Sequence, residues 1–405
     1  MRILVVLIIL FGSMTTGYAQ TIKIGLAHVF SGPMYTFGEV AEQGASVAIK
    51  EINESGGLLG KQLELLKADT AAKPDVGLAA VNDLVTHKKV DVVVGLVSSA
   101  VALKVAPEMP KLACPLIVTH AMADAITGSK CNPWVFRMTW STKQCVKGAA
   151  LLAQRNAKSK TWITVGPDYG FGQECWELFK QYMNEKGTYE YLEPIFTPLS
   201  TTDWNDVGSR LTSSEADGYM ISLWGNNLKD FLKQLGKLGT FKDKEVICIV
   251  GGGVEVLWPL GFIDLPTGIW FGTPYWQDAN DSEENRKFVE TYSTSLAKSV
   301  RMPPSYSAYT AYAAVKMYAA AVKRSGSIDK NVVAKTLPGL IVDLPAGPTF
   351  FRVSDHQAMY PIIFGKSAQP SSLWKRFRDL NPLIKIPAEE VTPSPEDSEC
   401  RQIGS

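Results

Sequence analysis

The sequence predicts an α/β protein made of two doubly wound parallel-sheet lobes. Apolar runs rich in valine and isoleucine alternate with helical stretches twice in succession, from Thr21 to Val118 and again from Trp162 to Val250. Strands alternating with helices imply βαβ crossovers and a parallel sheet covered on both faces. The runs end in glycine, proline or hydroxyl-bearing turns, and ligands of such sheets bind beyond the carboxyl ends of the strands. The late helical stretches Glu284 to Ser299 and Tyr306 to Arg324 lead into no clear new parallel strand, so they cover a sheet already built.

Thr21 to Ala27 reads as the first strand, followed by the loop Ser31 to Gly38. A helix from about Glu39 to Asn53 puts Ala41, Ala45, Ala48 and Ile52 on one stripe, and Gly56-Gly57 stops it. Leu63 to Leu66, Val90 to Val94 and Leu116 to Val118 are the next strands, with a helix at Val76 to Thr86. Val90 to Ala100 stands out because its apolar run ends in Gly95, Ser98 and Ser99 just before helical spacing from Ala100 to Met109. A strand-to-helix turn of this kind either holds an anionic or polar group on free backbone N–H groups or simply uses Ser99 as a helix cap. The second lobe repeats the pattern with strands at Trp162 to Val165, Gly218 to Leu223 and Val246 to Val250, and helices after Gly172 and from Leu228 to Leu238. Pro345 to Arg352 and Met359 to Phe364 read as two late strands, and from Ser367 the polar, proline-rich chain reads as a surface tail.

Residues 1–19 have the form of a cleavable secretory signal: Arg2, an apolar run from Ile3 to Phe11, and small residues up to Ala19. No cysteine follows the cleavage site, so no lipid anchor is expected, and no later run is long enough to span a bilayer. Of 41 basic residues only Arg2 lies in the signal, leaving 40 against 40 acidic ones. A balanced charge argues against a nucleic-acid partner. The six cysteines, Cys114, Cys131, Cys145, Cys175, Cys248 and Cys400, permit up to three disulfides, and their wide spacing fits bridges better than a metal site. Cys400 is placed to staple the tail.

The four histidines, His28, His87, His120 and His356, fall in no metalloprotease, nucleophile-elbow or phosphate-loop pattern. No enzyme activity, metal or cofactor is expected. Tyr35, Phe37, Tyr169 and Trp224 each stand just past a predicted strand end. Any one of them alone is ordinary packing, but four at equivalent positions point to an aromatic-lined cleft. Trp140 and Trp276 lie near predicted lobe crossings, where hinge packing is the simpler role.

Ser31-Gly32-Pro33 with Gly38, Ile52 to Gly60, the Gly95 to Ser99 turn, Asn132 to Arg137, and Asp168-Tyr169-Gly170-Phe171-Gly172 occur in an order that resembles one family. It is that of the extracytoplasmic solute-binding proteins of branched-chain amino-acid (Leu/Ile/Val) type ABC transporters. The resemblance spans about Thr21 to Gly365. It implies a type I periplasmic-binding fold whose two lobes, joined by three crossovers, close on a small solute in the cleft between them. Lobe one would be residues 21–139 plus 274–346, lobe two 140–273 plus 347–366, and the tail 367–405. A periplasmic, monomeric protein delivering its solute to permease subunits is expected. A ligand-sensing module for a separate membrane receptor is the rival reading.

In family members that bind amino acids, the ligand carboxylate is held at the position matching Ser99 and by a threonine at the position matching Ala123. The ammonium group is held by a backbone carbonyl near Ala121 and by an acid at the position matching Gly253. Tyr169 matches a cleft tyrosine, and Phe37 and Trp224 stand where tyrosines are common. Losing the acid removes the partner that offsets desolvation of an ammonium group. The resemblance therefore implies a carboxylate or amide head at Ser98 and Ser99, with an apolar or aromatic body against Phe37, Tyr169 and Trp224 and His120 as an extra donor. Tyr35, Trp140 and Glu255 are secondary candidates. A shifted Glu255 would restore the acid and with it amino-acid binding.

Overall fold

The computed structural model describes residues 21–156, 158–296, 302–369, 379–401 and 403, with backbone only at Pro33, Val254, Glu255 and Phe262. The signal segment assigned to residues 1–19 lies outside them. A five-stranded parallel sheet runs in the order Leu63–Asp69, Ile22–His28, Val92–Gly95, Leu116–Val118, Val135–Arg137. An eight-stranded sheet is parallel through Glu190–Tyr191, Ile195–Thr197, Thr161–Pro167, Gly218–Ile221, Glu245–Cys248 and Trp270–Thr273. It then continues antiparallel through Ile362–Ala368 and Asp379–Ile386. The fold class read from the sequence stands.

The first sheet is completed by helices from opposite ends of the chain. Thr36–Glu54 presents Ala41, Gly44, Ala45 and Ala48, all buried, and Tyr306–Ser325 presents a face rich in alanine. The two backbones pack so closely that a Cβ on Gly44 would lie 2.0 Å from the Ala308 carbonyl oxygen. Buried Glu51 accepts from Tyr312 Oη at 2.8 Å and from Lys316 Nζ at 3.2 Å, closing the pair at its far end. Ser305 caps the second helix and Gly326 ends it in the left-handed conformation, φ 65°.

Two late expectations are corrected. The chain from Ser367 is no free tail: Asp379–Ile386 is an edge strand, Ala388–Val391 is a short helix packed on Thr142–Asn156, and Cys400 is bonded to Cys131. Residues 347–359, assigned to lobe two, instead stay with the first lobe. Phe351 packs on Phe136 with ring centroids 5.2 Å apart, and Arg137 bridges to Gln357. The chain changes lobes after Met359, where Ile362–Ala368 enters the second sheet. Of the expected bridges only Cys131–Cys400 is present among the described residues; Cys114, Cys145, Cys175 and Cys248 are buried free thiols.

Four longer helices unmarked in the sequence reading also appear, at Asn205–Ser213, Val254–Asp264, Lys330–Thr336 and Thr142–Asn156. The second contains Pro259 and a non-helical Gly261, so it is two pieces joined at a kink. Gly95 ends the central strand at φ 136°, and a Cβ there would lie 2.0 Å from the Ala27 carbonyl oxygen. Gly95→Ala should therefore destabilise the fold by about 2–4 kcal/mol, read as a shift in the urea midpoint. A midpoint within error of wild type would show that the neighbouring strand end yields freely.

Candidate functional site

The first-lobe strand ends carry Ser98, Ser99 and the segment from Thr119 to Asp124. The structure reverses the capping assignment. Ser98 is the cap, its Oγ accepting from Val101 N at a long 3.5 Å, and the helix it starts, Ser99–Val105, has only seven residues before a 3₁₀ turn. Ser99 Oγ instead accepts from the backbone N–H of Ala123 at 3.2 Å. This joins a hydroxyl and an N–H that the sequence placed 24 residues apart. A helix this short adds little dipole, so the polar character of this strand end comes from that pair rather than from the helix end.

Behind the pair lies an aromatic layer. Phe37 is buried and meets His120 edge to face at 5.1 Å, and its carbonyl accepts from Ser307 Oγ at 3.2 Å. His120 Nε2 shares a hydrogen bond of 2.8 Å with Tyr306 Oη. His28 stands edge-on to His120 at 6.1 Å, and neither of its ring nitrogens has a hydrogen-bond partner among the described residues. Burial lowers the pKa of His120 to about 4 and holds His28 well below the ordinary value of 6.5, with the neighbouring His120 adding to the shift. Both rings are neutral at pH 7. Ala121 is buried and donates to the Leu96 carbonyl at 3.0 Å, and Tyr35 projects into solvent, 47% exposed.

On the second lobe Tyr169 and Trp224 form a pair, Trp224 Nε1 donating to Tyr169 Oη at 3.2 Å. Tyr169 also stacks on Phe171 at 6.1 Å and remains 40% exposed. Its hydroxyl hydrogen is left to donate elsewhere. Gly253 caps the helix Val254–Asp264 and offers no side chain. Glu255 sits in that helix's first turn, and its side chain lies outside what the structure describes. Trp140 is not at the surface of a cleft: it is 1% exposed within the main core.

One buried arginine beside these residues escaped the sequence reading as a site candidate, although it ends a motif already singled out. Arg137 is 2% exposed, and its guanidinium donates to the Met122 carbonyl at 3.1 Å, the Ala123 carbonyl at 2.6 Å, Thr127 Oγ1 at 2.7 Å and Gln357 Oε1 at 2.5 Å. Burial lowers its pKa to about 10, so it stays charged. Gln357 in turn donates to the Thr139 carbonyl at 2.8 Å, in the segment where the chain crosses between lobes. The turn that aims Ala123 N–H at Ser99 is thus fixed by a cation tied to the crossing. Among the described residues no group of three or more His, Cys, Asp or Glu is arranged to hold a metal ion.

Two parallel-sheet lobes, crossing segments between them, and hydroxyl and aromatic groups at the strand ends define a two-lobed α/β binding protein. The chain belongs to the periplasmic binding protein family, whose model matches residues 21–369. It is similar to the Leu/Ile/Val-binding protein BraC3 of Rhizobium johnstonii, 27% identical over 354 residues covering 85% of this chain and 92% of that one. Its fold resembles an amino acid ABC transporter substrate-binding protein from Pseudomonas fluorescens, with TM-score 0.85 and 22% identity over 95% of this chain and 99% of that one. It also resembles an ABC transporter solute-binding protein from R. palustris in complex with 4-hydroxybenzoate, with TM-score 0.77 and 22% identity over 90% and 97% of the two chains. Among the described residues no helix is long and apolar enough to cross a membrane.

The buried histidines set an acid limit on stability. His28, His120 and His356 all have pKa values below 6.5 in the fold, the last two at about 4, so the unfolded chain binds protons that the fold refuses. Their contribution is complete above pH 6.5 and is lost as pH falls towards 4. Urea unfolding at pH 7.5 and 5.5 should differ by about 1 kcal/mol for each of His120 and His356, with His28 acting in the same direction, and His120→Asn should remove one share. An unfolding free energy that is flat over this range would contradict the neutral assignments.

Proposed function

We propose that this protein is the extracytoplasmic solute-binding component of an ABC transporter, exported by the signal at residues 1–19. It captures a small organic solute with a carboxylate or amide head and an apolar or aromatic body. The observation that carries the reading is the Ser99–Ala123 pair at a strand end: the Ala123 N–H, in a turn held by Arg137, fixes Ser99 Oγ and leaves the Ser99 hydroxyl hydrogen to donate. A carboxylate or amide oxygen accepts from that hydroxyl, whereas an ammonium group brings only donors. The residue matching the family's ammonium-binding acid is Gly253.

Capture then follows from hinge closure. The head group docks on the first lobe at Ser99 and Ala123, beside Phe37. The ring or apolar body meets Tyr169 and Trp224 as the second lobe swings in. Contacts that exist only with both lobes engaged favour the closed form by the ligand's differential affinity for it. The closed protein delivers the solute to membrane permease subunits and performs no chemistry on it. A second reading, amino-acid uptake, is favoured by the Leu/Ile/Val-binding relative and by the position of Glu255 in the first turn after Gly253.

Isothermal titration with 4-hydroxybenzoate, benzamide and L-leucine tests this assignment. The acid or the amide should bind and raise the melting temperature, with L-leucine inert. Ser99→Ala should weaken the binding ligand about 10-fold or more, the loss of one hydrogen bond to a charged or strongly polar head. Binding of L-leucine alone would overturn the ligand class. An unchanged affinity in Ser99→Ala would move the head-group grip elsewhere.

A further inference from the structure

The C-terminal segment ties both lobes together across the crossing region, a role that a solute-binding site does not require. Its strand Asp379–Ile386 is paired with Ile362–Ala368 at the edge of the second sheet. The chain then lays Ala388–Val391 on the second-lobe helix Thr142–Asn156. Thr392 Oγ1 accepts from Gln144 Nε2 at 2.7 Å, and Glu390 pairs with Arg155. From there it leaves the second lobe. The Pro393 carbonyl accepts from Arg352 Nη1 at 2.6 Å, and Arg352 is itself locked to Asp355 beside the Arg137–Gln357 network. Glu399 reaches back to Lys143 in the first turn of the second-lobe helix at 3.4 Å, and Cys400 ends the run in a bond to Cys131, in the first lobe between the Asp124–Ile126 turn and Val135–Arg137.

We propose that residues 392–400 are a covalent strap across the hinge, and that its length sets how far the two lobes open. The other crossings are chain segments that bend at backbone dihedrals. The strap differs in being anchored at both ends, by a sheet edge and a packed helix on one side and by a disulfide on the other. Nine residues from Thr392 to Cys400 bound the separation of their anchors, and an extended chain reaches only about 3.3–3.6 Å per residue. The strap also lines a pocket together with Asp124, Arg137, Lys143 and Arg352, at the junction it spans. The disulfide therefore acts on the ligand-free equilibrium, whatever solute the cleft takes.

Small-angle scattering of the ligand-free protein reads this directly. Two full-length variants separate strap length from bond stability: Cys131→Ser with Cys400→Ser, which cuts the tether, and an insertion of Gly-Ser-Gly-Ser after Asp397, which lengthens it with the disulfide intact. Both should raise the radius of gyration by about 1 Å from a value near 21 Å for a compact chain of this length. The insertion should do so with little change in melting temperature, because the sheet, the helix and the bond all remain. An insertion variant with the disulfide formed, a wild-type melting temperature and an unchanged radius of gyration would overturn the proposal, leaving Cys131–Cys400 as a staple for stability alone. A serine pair that melts lower at an unchanged radius of gyration would overturn it in the same way.

Discussion

The architecture depends on the contact between Thr36–Glu54 and Tyr306–Ser325. Because Gly44 lets the Ala308 carbonyl approach to a distance no side chain would permit, two helices separated by an entire second lobe pack backbone to backbone. Contacts this close gain dispersion energy from many atom pairs while ordering few side chains, since alanine and glycine have no rotamers to lose. The first lobe is therefore made from two separate stretches of chain. The second sheet takes its parallel strands from between them and its last two from after them, so the polypeptide has to cross from one lobe to the other repeatedly, and a hinge made of several crossings follows from a helix packing preference.

The crossing region is where the chemistry gathers. Arg137, buried and charged, costs desolvation, and the structure offsets this with four acceptors drawn from the first-lobe turn and the returning segment. Those acceptors include both carbonyls that flank the Ala123 N–H site, so the geometry of the polar grip and the path of the crossing are one hydrogen-bonded object. The histidines beyond Phe37 add a dry, uncharged backing, whereas the second lobe contributes exposed, hydrogen-bonded aromatics. The two sets of strand-end residues are chemically unlike, one polar and held by hydrogen bonds, the other aromatic.

Much of this was legible in the sequence, and the rest was hidden for identifiable reasons. Parallel strands bury both faces and so read as apolar runs, which is why Leu116–Val118 and Val92–Gly95 stood out. Asp379–Ile386 did not, because Asn381-Pro382 interrupts it and proline signals a loop; an edge strand tolerates proline where no ladder donor is needed. Val254–Asp264 was masked by Pro259 and Gly261. At the site, the positions of Ser99, Phe37, Tyr169 and Trp224 followed from strand ends, but their partners did not. Which of Ser98 and Ser99 caps the helix depends on a single residue of register, and Tyr306 reaches His120 across 186 residues of chain. The pairing of Cys131 with Cys400 was equally beyond reach, since six cysteines allow about fifteen arrangements.

The four unpaired thiols give the chain a constraint of timing. Cys114, Cys145, Cys175 and Cys248 are all buried, and burial raises each thiol far from its reactive thiolate form. Cys400 follows all four of them in the sequence, so it leaves the ribosome or any export channel after them. Where oxidants are present, the correct partner of Cys131 therefore arrives after the four competing thiols have been translated. In the finished fold the four are enclosed, which leaves Cys131 to the partner delivered last.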